Sequence, residues 1–152
     1  MGTRARAATR SPRPAPARRR TPHGRGATAS LHVLPVTPER WPDLEQLFGS
    51  KGACAGCWCM WMRLPLAQFN RGKGEGNRRA LRALTARRPP GLLAYQGDAP
   101  VGWVAVAPRD EYLRLANSRV LEPVAGERVW AAPCFFVKAL HRGRGVTLAL
   151  LE

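Results

Sequence analysis

Large apolar side chains are missing from residues 2–30 and then recur with changing period. Residues 1–30 hold Arg, Ala, Pro, Gly, Ser, Thr, one His and the initial Met. Ordering them would lose conformational entropy with little burial in return, so a disordered Arg/Pro/Ala-rich tail is expected. From Leu31 the pattern changes. Leu31-His32-Val33-Leu34-Pro35-Val36 reads as a strand. Thr37 is placed to cap a helix with Pro38 at its first position, and Trp41, Leu44, Leu47 and Phe48 follow at helical spacing until Gly49. Leu64 to Phe69 suits a short helix, and Arg71 to Gly76 a flexible loop. Asn77 then serves as cap for a basic helix from Arg78 to about Ala86, stopped by Pro89-Pro90.

The strongest local signal is a hairpin. Gly91 to Gln96 and Pro100 to Ala107 are strands joined by the turn pair Gly97-Asp98. Residues 109–115 suit a helical turn, and 116–126 a loop. Glu127 to Val137 reads as a further strand, in which Pro133 predicts a bulge or an edge position. A basic loop, Lys138 to Arg144, leads to Gly145, where an apolar run starts a last helix. This order predicts an α/β fold of the α+β type, with a mostly antiparallel mixed sheet flanked by helices.

Composition narrows the classes. The chain has 152 residues, 45% of them hydrophobic and five of them Trp, enough for one domain with a core. The net charge is +15, of which the eight arginines of residues 1–30 supply more than half. Such a chain attracts polyanions, whether nucleic acid or a phosphorylated cofactor. No run approaches the roughly 20 apolar residues of a membrane span. No secretory signal is legible. The chain is therefore expected in the cytoplasm with its four cysteines reduced.

The chemistry concentrates near the end of the chain. A strand finishing at Val137, the loop Arg142-Gly143-Arg144-Gly145 and an immediate helix place backbone N–H groups and two cations around one point. Glycines admit close approach of a phosphate, and a helix start offers unpaired donors. The arrangement suits a pyrophosphate. It resembles the pyrophosphate-binding motif of the GNAT acetyltransferase superfamily: Arg or Gln, two residues, Gly, one residue, Gly or Ala. Arg142 and Gly145 match, and Thr147 stands where Gly or Ala is usual. Trp58-Cys59-Met60-Trp61 with Gly74-Glu75-Gly76-Asn77 resembles an uncharacterised bacterial subgroup of the same superfamily.

This resemblance covers residues 31–152 and implies an incomplete GNAT domain that lacks its C-terminal strands and helix. It implies acetyl-CoA as cosubstrate and acetyl transfer to a primary amine of a small molecule or peptide. Phe136, Val137, Arg142, Gly143, Arg144, Gly145, Val146 and Thr147 would form the cofactor site, the strand pairing its backbone with the pantetheine arm. The tyrosine that often protonates the sulfur belongs to a later helix, and Tyr95 and Tyr112 lie on other elements. Weak activity of this chain alone is therefore expected. Asp110, Glu111 and Glu127 are carboxylates within reach of base chemistry, but each reads first as a solvated surface group, so no catalytic residue is assigned.

Cys54, Cys57 and Cys59 lie among Trp58, Met60, Trp61 and Met62. A structural zinc normally takes four ligands, and neither a second Cys pair nor a close His pair follows. Small apolar residues packed beside aromatics is the preferred reading, with no metal. The same resemblance makes Trp58 and Trp61 walls of an acceptor pocket. The runner-up function is a small basic nucleic-acid-binding module using the Arg-rich tail as its arm.

Overall fold

The computed structural model describes residues 30–122 and 128–152, so the disorder expected of the tail and the role considered for Glu127 lie outside the described residues. Four strands form one antiparallel sheet in chain order: β1 (Leu31–Pro35), β2 (Gly91–Gln96), β3 (Ala99–Pro108) and β4 (Trp130–Val137). The sheet's apolar residues divide between two faces, by alternation except at Val101, the extra residue of an irregularity opposite Ala94 and Tyr95. Leu93, Tyr95, Trp103 and Ala105 face a layer made by α1 (Trp41–Phe48), α3 (Glu75–Thr85) and the cysteine segment. Ala94, Val101 and Val104 face α5 (Val146–Ala149), which packs through Val146 and, just beyond it, Leu150. The α/β class with a mostly antiparallel sheet and flanking helices is what the pattern predicts.

Several boundaries differ, each for a local reason. A 3-10 turn, Pro38–Arg40, precedes α1, and the Thr37 hydroxyl makes no capping bond. Gly49 ends α1 as expected, at φ 64 with its N–H on the Glu45 carbonyl. The expected 71–76 loop shrinks to a turn over 72–74. The helix α2 (Leu66–Arg71) runs to its start, and α3 begins at Glu75 after Gly74, whose φ is 83. Asn77 is therefore not a cap but a buried member of the first turn of α3, donating from Nδ2 to the carbonyls of Gly56 (3.1 Å) and Phe69 (3.4 Å). Carbonyls shut away from water need such a donor, and that need outweighs the usual capping preference of Asn. A helical turn, α4 (Leu113–Ala116), closes the end of the sheet through Leu115 and the adjacent Tyr112.

Pro133 has both predicted attributes. Ala105 pairs with Cys134 and Ala107 with Ala131, so the ladder shifts register around Pro133. Among the described residues, β4 pairs with β3 alone and is an edge.

Gly102 lets α5 sit close to the sheet. A Cβ there would lie 2.4 Å from Val146 Cγ1 and 3.3 Å from Leu150 Cδ1. A β-branched valine neighbour has little freedom to yield. Gly102→Ala is expected to destabilise the fold by about 1–3 kcal/mol through overpacking. Urea unfolding monitored by circular dichroism measures it, and an unchanged midpoint would show that α5 is free to shift.

Candidate functional site

The C-terminal end of β4 and the loop after it enclose a cavity of about 470 Å³. Phe136, Val137, Arg142, Gly143, Gly145, Val146 and Thr147 all line it, so seven of the eight residues named from the sequence come together. Arg144 does not line it. Phe135, His141 and Leu148 do, and the motif gave no sign of them.

The loop owes its shape to two backbone positions. Gly143 and Gly145 have φ of 69 and 79, the left-handed region that a side-chain-bearing residue enters only with strain. A Cβ on either would meet nothing within 4 Å, so the requirement is conformational and the cradle is open. A 3-10 turn, Ala139–His141, starts the loop, and Arg142 Nε donates to the Val137 carbonyl (3.2 Å), tying it back to the strand.

Strand geometry decides which backbone groups face the open edge. The Lys138 N–H donates to the Val101 carbonyl across the sheet (3.0 Å). In an antiparallel ladder alternate residues point the same way, so Phe136 also turns its backbone to β3. Phe135 and Val137 turn theirs outward, consistent with the Arg142 bond to Val137. Of the two strand residues named from the sequence, Val137 thus turns its backbone to the open edge and Phe136 turns its backbone to β3. The Phe136 ring packs edge-on to Phe48 of α1 (5.6 Å between centroids), and Phe135 has its backbone on the edge.

No protein family and no curated protein matches the sequence. Among solved structures, the chain is similar to histone acetyltransferase HPA2 and related acetyltransferase from Corynebacterium glutamicum ATCC 13032. The TM-score is 0.43 at 20% identity, over 80% of this chain and 68% of that one. Chemistry has to be read from this chain's own residues.

The other residues singled out above lie elsewhere. Trp58 is buried, stacked on Trp41 (5.9 Å between centroids) and tilted against Phe48. Trp61 packs edge-on to Phe69 with the Arg114 guanidinium 3.9 Å from its ring centre. Neither lines the loop cavity. Tyr95 donates to Asp43 Oδ2 (2.7 Å), and burial pushes its phenol well above the usual tyrosine range. Asp110 is exposed as expected, but Glu111 is not a solvated carboxylate: it is half-buried and pairs with both Arg63 (3.1 Å) and Arg88. Among the described residues, no helix is long and apolar enough to cross a membrane, and no group of three or more His, Cys, Asp or Glu is placed to hold a metal ion.

The cysteine segment is a tight turn in which Ala53, Ala55, Trp58 and Cys59 all have positive φ. Its three thiols do not share one environment: Cys54 is exposed, Cys57 half-buried and Cys59 buried. Only Cys59 fits the packed reading fully. Its Sγ accepts from Trp103 Nε1 (3.2 Å) and lies 2.9 Å from the Sγ of Cys134 on β4, a pairing 75 residues apart that local spacing could not reveal. The hydrogen bond with Cys134, then burial, raises the Cys59 pKa well above the ordinary thiol value, and burial raises that of Cys57. Thiolate is the nucleophile, so iodoacetamide should label Cys54 first and Cys59 only on unfolding. Peptide mass spectrometry after pulse labelling checks this order, and early labelling of Cys59 would contradict the packing described.

Proposed function

We propose that the chain is an acetyl-CoA-dependent N-acetyltransferase of the GNAT type, transferring an acetyl group to a primary amine. The observation that carries this reading is the cavity at the end of an open strand edge, where two left-handed glycines and Arg142 meet outward-facing backbone groups. Pyrophosphate fits the loop because Gly143 and Gly145 leave the space above the backbone clear. Arg142 and His141 add donors on the same side. The N–H groups of Phe135 and Val137 lie along the edge, where an extended amide-bearing arm can pair as an added strand would.

Bound acetyl-CoA supplies the activated acyl group as a thioester. In the net transfer the amine nitrogen bonds to the acyl carbon as the carbon–sulfur bond breaks, and the proton lost by nitrogen is balanced by one gained by sulfur. Outward N–H groups of β4 are the donors this chain offers to charge developing on the acyl oxygen. The mixed backbone and cation cradle predicts strong preference for the phosphorylated cofactor. Calorimetry should show CoA binding and pantetheine, which lacks the pyrophosphate, binding about ten-fold or more weakly, the scale of one charge-assisted hydrogen bond. Equal binding of the two, or no binding of CoA, would sink the proposal. A DNA duplex in the same series tests the nucleic-acid alternative.

A further inference from the structure

The opposite end of β4 borders a second cavity, of about 570 Å³. Among the described residues, Arg88, Arg109 and Arg128 line it together with the carboxylate of Asp110, and Trp130, 67% exposed, stands beside them. A solvated basic face spreads its charges on flexible stems. Here the cations converge on a concavity, and two of the three are anchored. Arg88 pairs with Glu111, which Arg63 also holds. One terminal nitrogen of Arg109 donates to the carbonyls of Leu115 (2.7 Å) and Leu121. Carbonyls are neutral, so these bonds fix the guanidinium plane without cancelling its charge.

A positioned guanidinium presents parallel N–H donors that match a carboxylate or a phosphate, and anchoring lowers the entropy lost on binding. The cavity lies on the same strand as the glycine loop, from Trp130 to Val137, a span of about 23 Å at roughly 3.3 Å per residue. The Pro133 irregularity lies between the two. We infer that this cavity binds the oxyanion of a small acidic amine, holding a carboxylate or phosphate against Arg109 and Arg128 so that the amine points along β4 toward the end of a cofactor arm extended from the loop. That the bound amine is the acetyl acceptor rests on the acetyltransferase reading, whereas the anion site stands on the cavity itself. The same charges disfavour polyamines and lysine-rich peptides.

Calorimetry on the full chain separates these cases. O-phosphoethanolamine and β-alanine represent the two oxyanions, ethanolamine the neutral amine, and spermidine the polycation. At least one acid is expected to bind, and ethanolamine and spermidine about ten-fold or more weakly, the scale of one charge-assisted hydrogen bond. Whichever acid binds more tightly identifies the oxyanion. Arg128→Gln, an exposed position, and Arg109→Gln should each weaken the acid by about as much while CoA affinity stays at the parent value. Circular dichroism guards against misfolding of the Arg109 variant, and the Arg128 variant stands independently of it. Acid binding without CoA binding would leave the anion site intact and remove the acetyltransferase reading. CoA binding with no heat from either acid would do the opposite. Ethanolamine binding as well as the acids, acid binding unchanged by Arg128→Gln, or an oligonucleotide binding through these arginines where the small acids do not, overturns the assignment.

Discussion

Gly145→Val is expected to weaken CoA binding by about 30-fold or more, because a β-branched residue at a left-handed φ carries roughly 1–3 kcal/mol of strain and also places methyl groups where the phosphate would approach. Gly145 has φ 79 and ψ 3 and immediately precedes α5, so relief of the strain would move the first turn of that helix. Arg144→Ala should change affinity by less than about five-fold, since the side chain lies outside the cavity lining and exposed charges are screened. Thr147→Gly should be tolerated, because the cavity needs the backbone there and not the hydroxyl. Strain alone is controlled by Gly97→Val. Gly97 has φ 58 in the β2–β3 turn, so the substitution should destabilise the fold comparably while leaving CoA affinity unchanged. Calorimetric affinities for the four variants, read beside their urea midpoints, decide the matter. Parent-like affinity in Gly145→Val would show that the loop is not a phosphate cradle.

The same loop shows what local sequence can reveal. Gly143 and Gly145 announce a backbone requirement at their own positions, and a strand end followed by Gly and an apolar run fixes the order of elements. Short-range signals of this kind also gave the 91–96 strand and the irregularity at Pro133. The signals that failed depend on what arrives from far along the chain. Asn77 has the composition of a cap, yet buried carbonyls of Gly56 and Phe69 draw its amide inward. Glu111 looks like a surface carboxylate until Arg63, 48 residues earlier, is folded against it. Cys134 carries no motif, and only the packing of β4 brings it to Cys59. The arginines of the second cavity come from residues 88, 109 and 128, a spacing with no periodicity to read. Charge count alone made the chain basic; the fold makes part of that charge converge.

Arg63 carries the second large prediction. It is 6% exposed, with Nη1 donating to Glu111 (3.1 Å) and Nη2 to the Pro90 carbonyl and the Tyr112 hydroxyl (both 3.2 Å). The guanidinium also lies 4.4 Å from the Tyr112 ring centre. Burial lowers its pKa from the ordinary guanidinium value, yet an arginine remains cationic near neutral pH. Arg63→Ala removes the charge, the three donated bonds and the stem that fills the space, and should lower stability by about 3–5 kcal/mol. Arg63→Met keeps most of the volume and should lose less. Adding Glu111→Gln to Arg63→Met should recover part of that loss, because the carboxylate then no longer needs its partner. Tyr112 supplies an alkaline signature. Burial pushes its phenol up to about 12, with the Arg63 charge opposing. A raised folded-state pKa means that stabilisation is fully present below the ordinary tyrosine value near 10 and is lost as pH rises through about 12. Tyr112→Phe should therefore flatten part of the fall in stability between those limits. Urea midpoints of the four variants against pH measure all of this. If Arg63→Ala unfolds at the parent midpoint, the buried guanidinium is not what holds α4 and Glu111 in place, and the anchoring of Arg88 beside the second cavity loses its support.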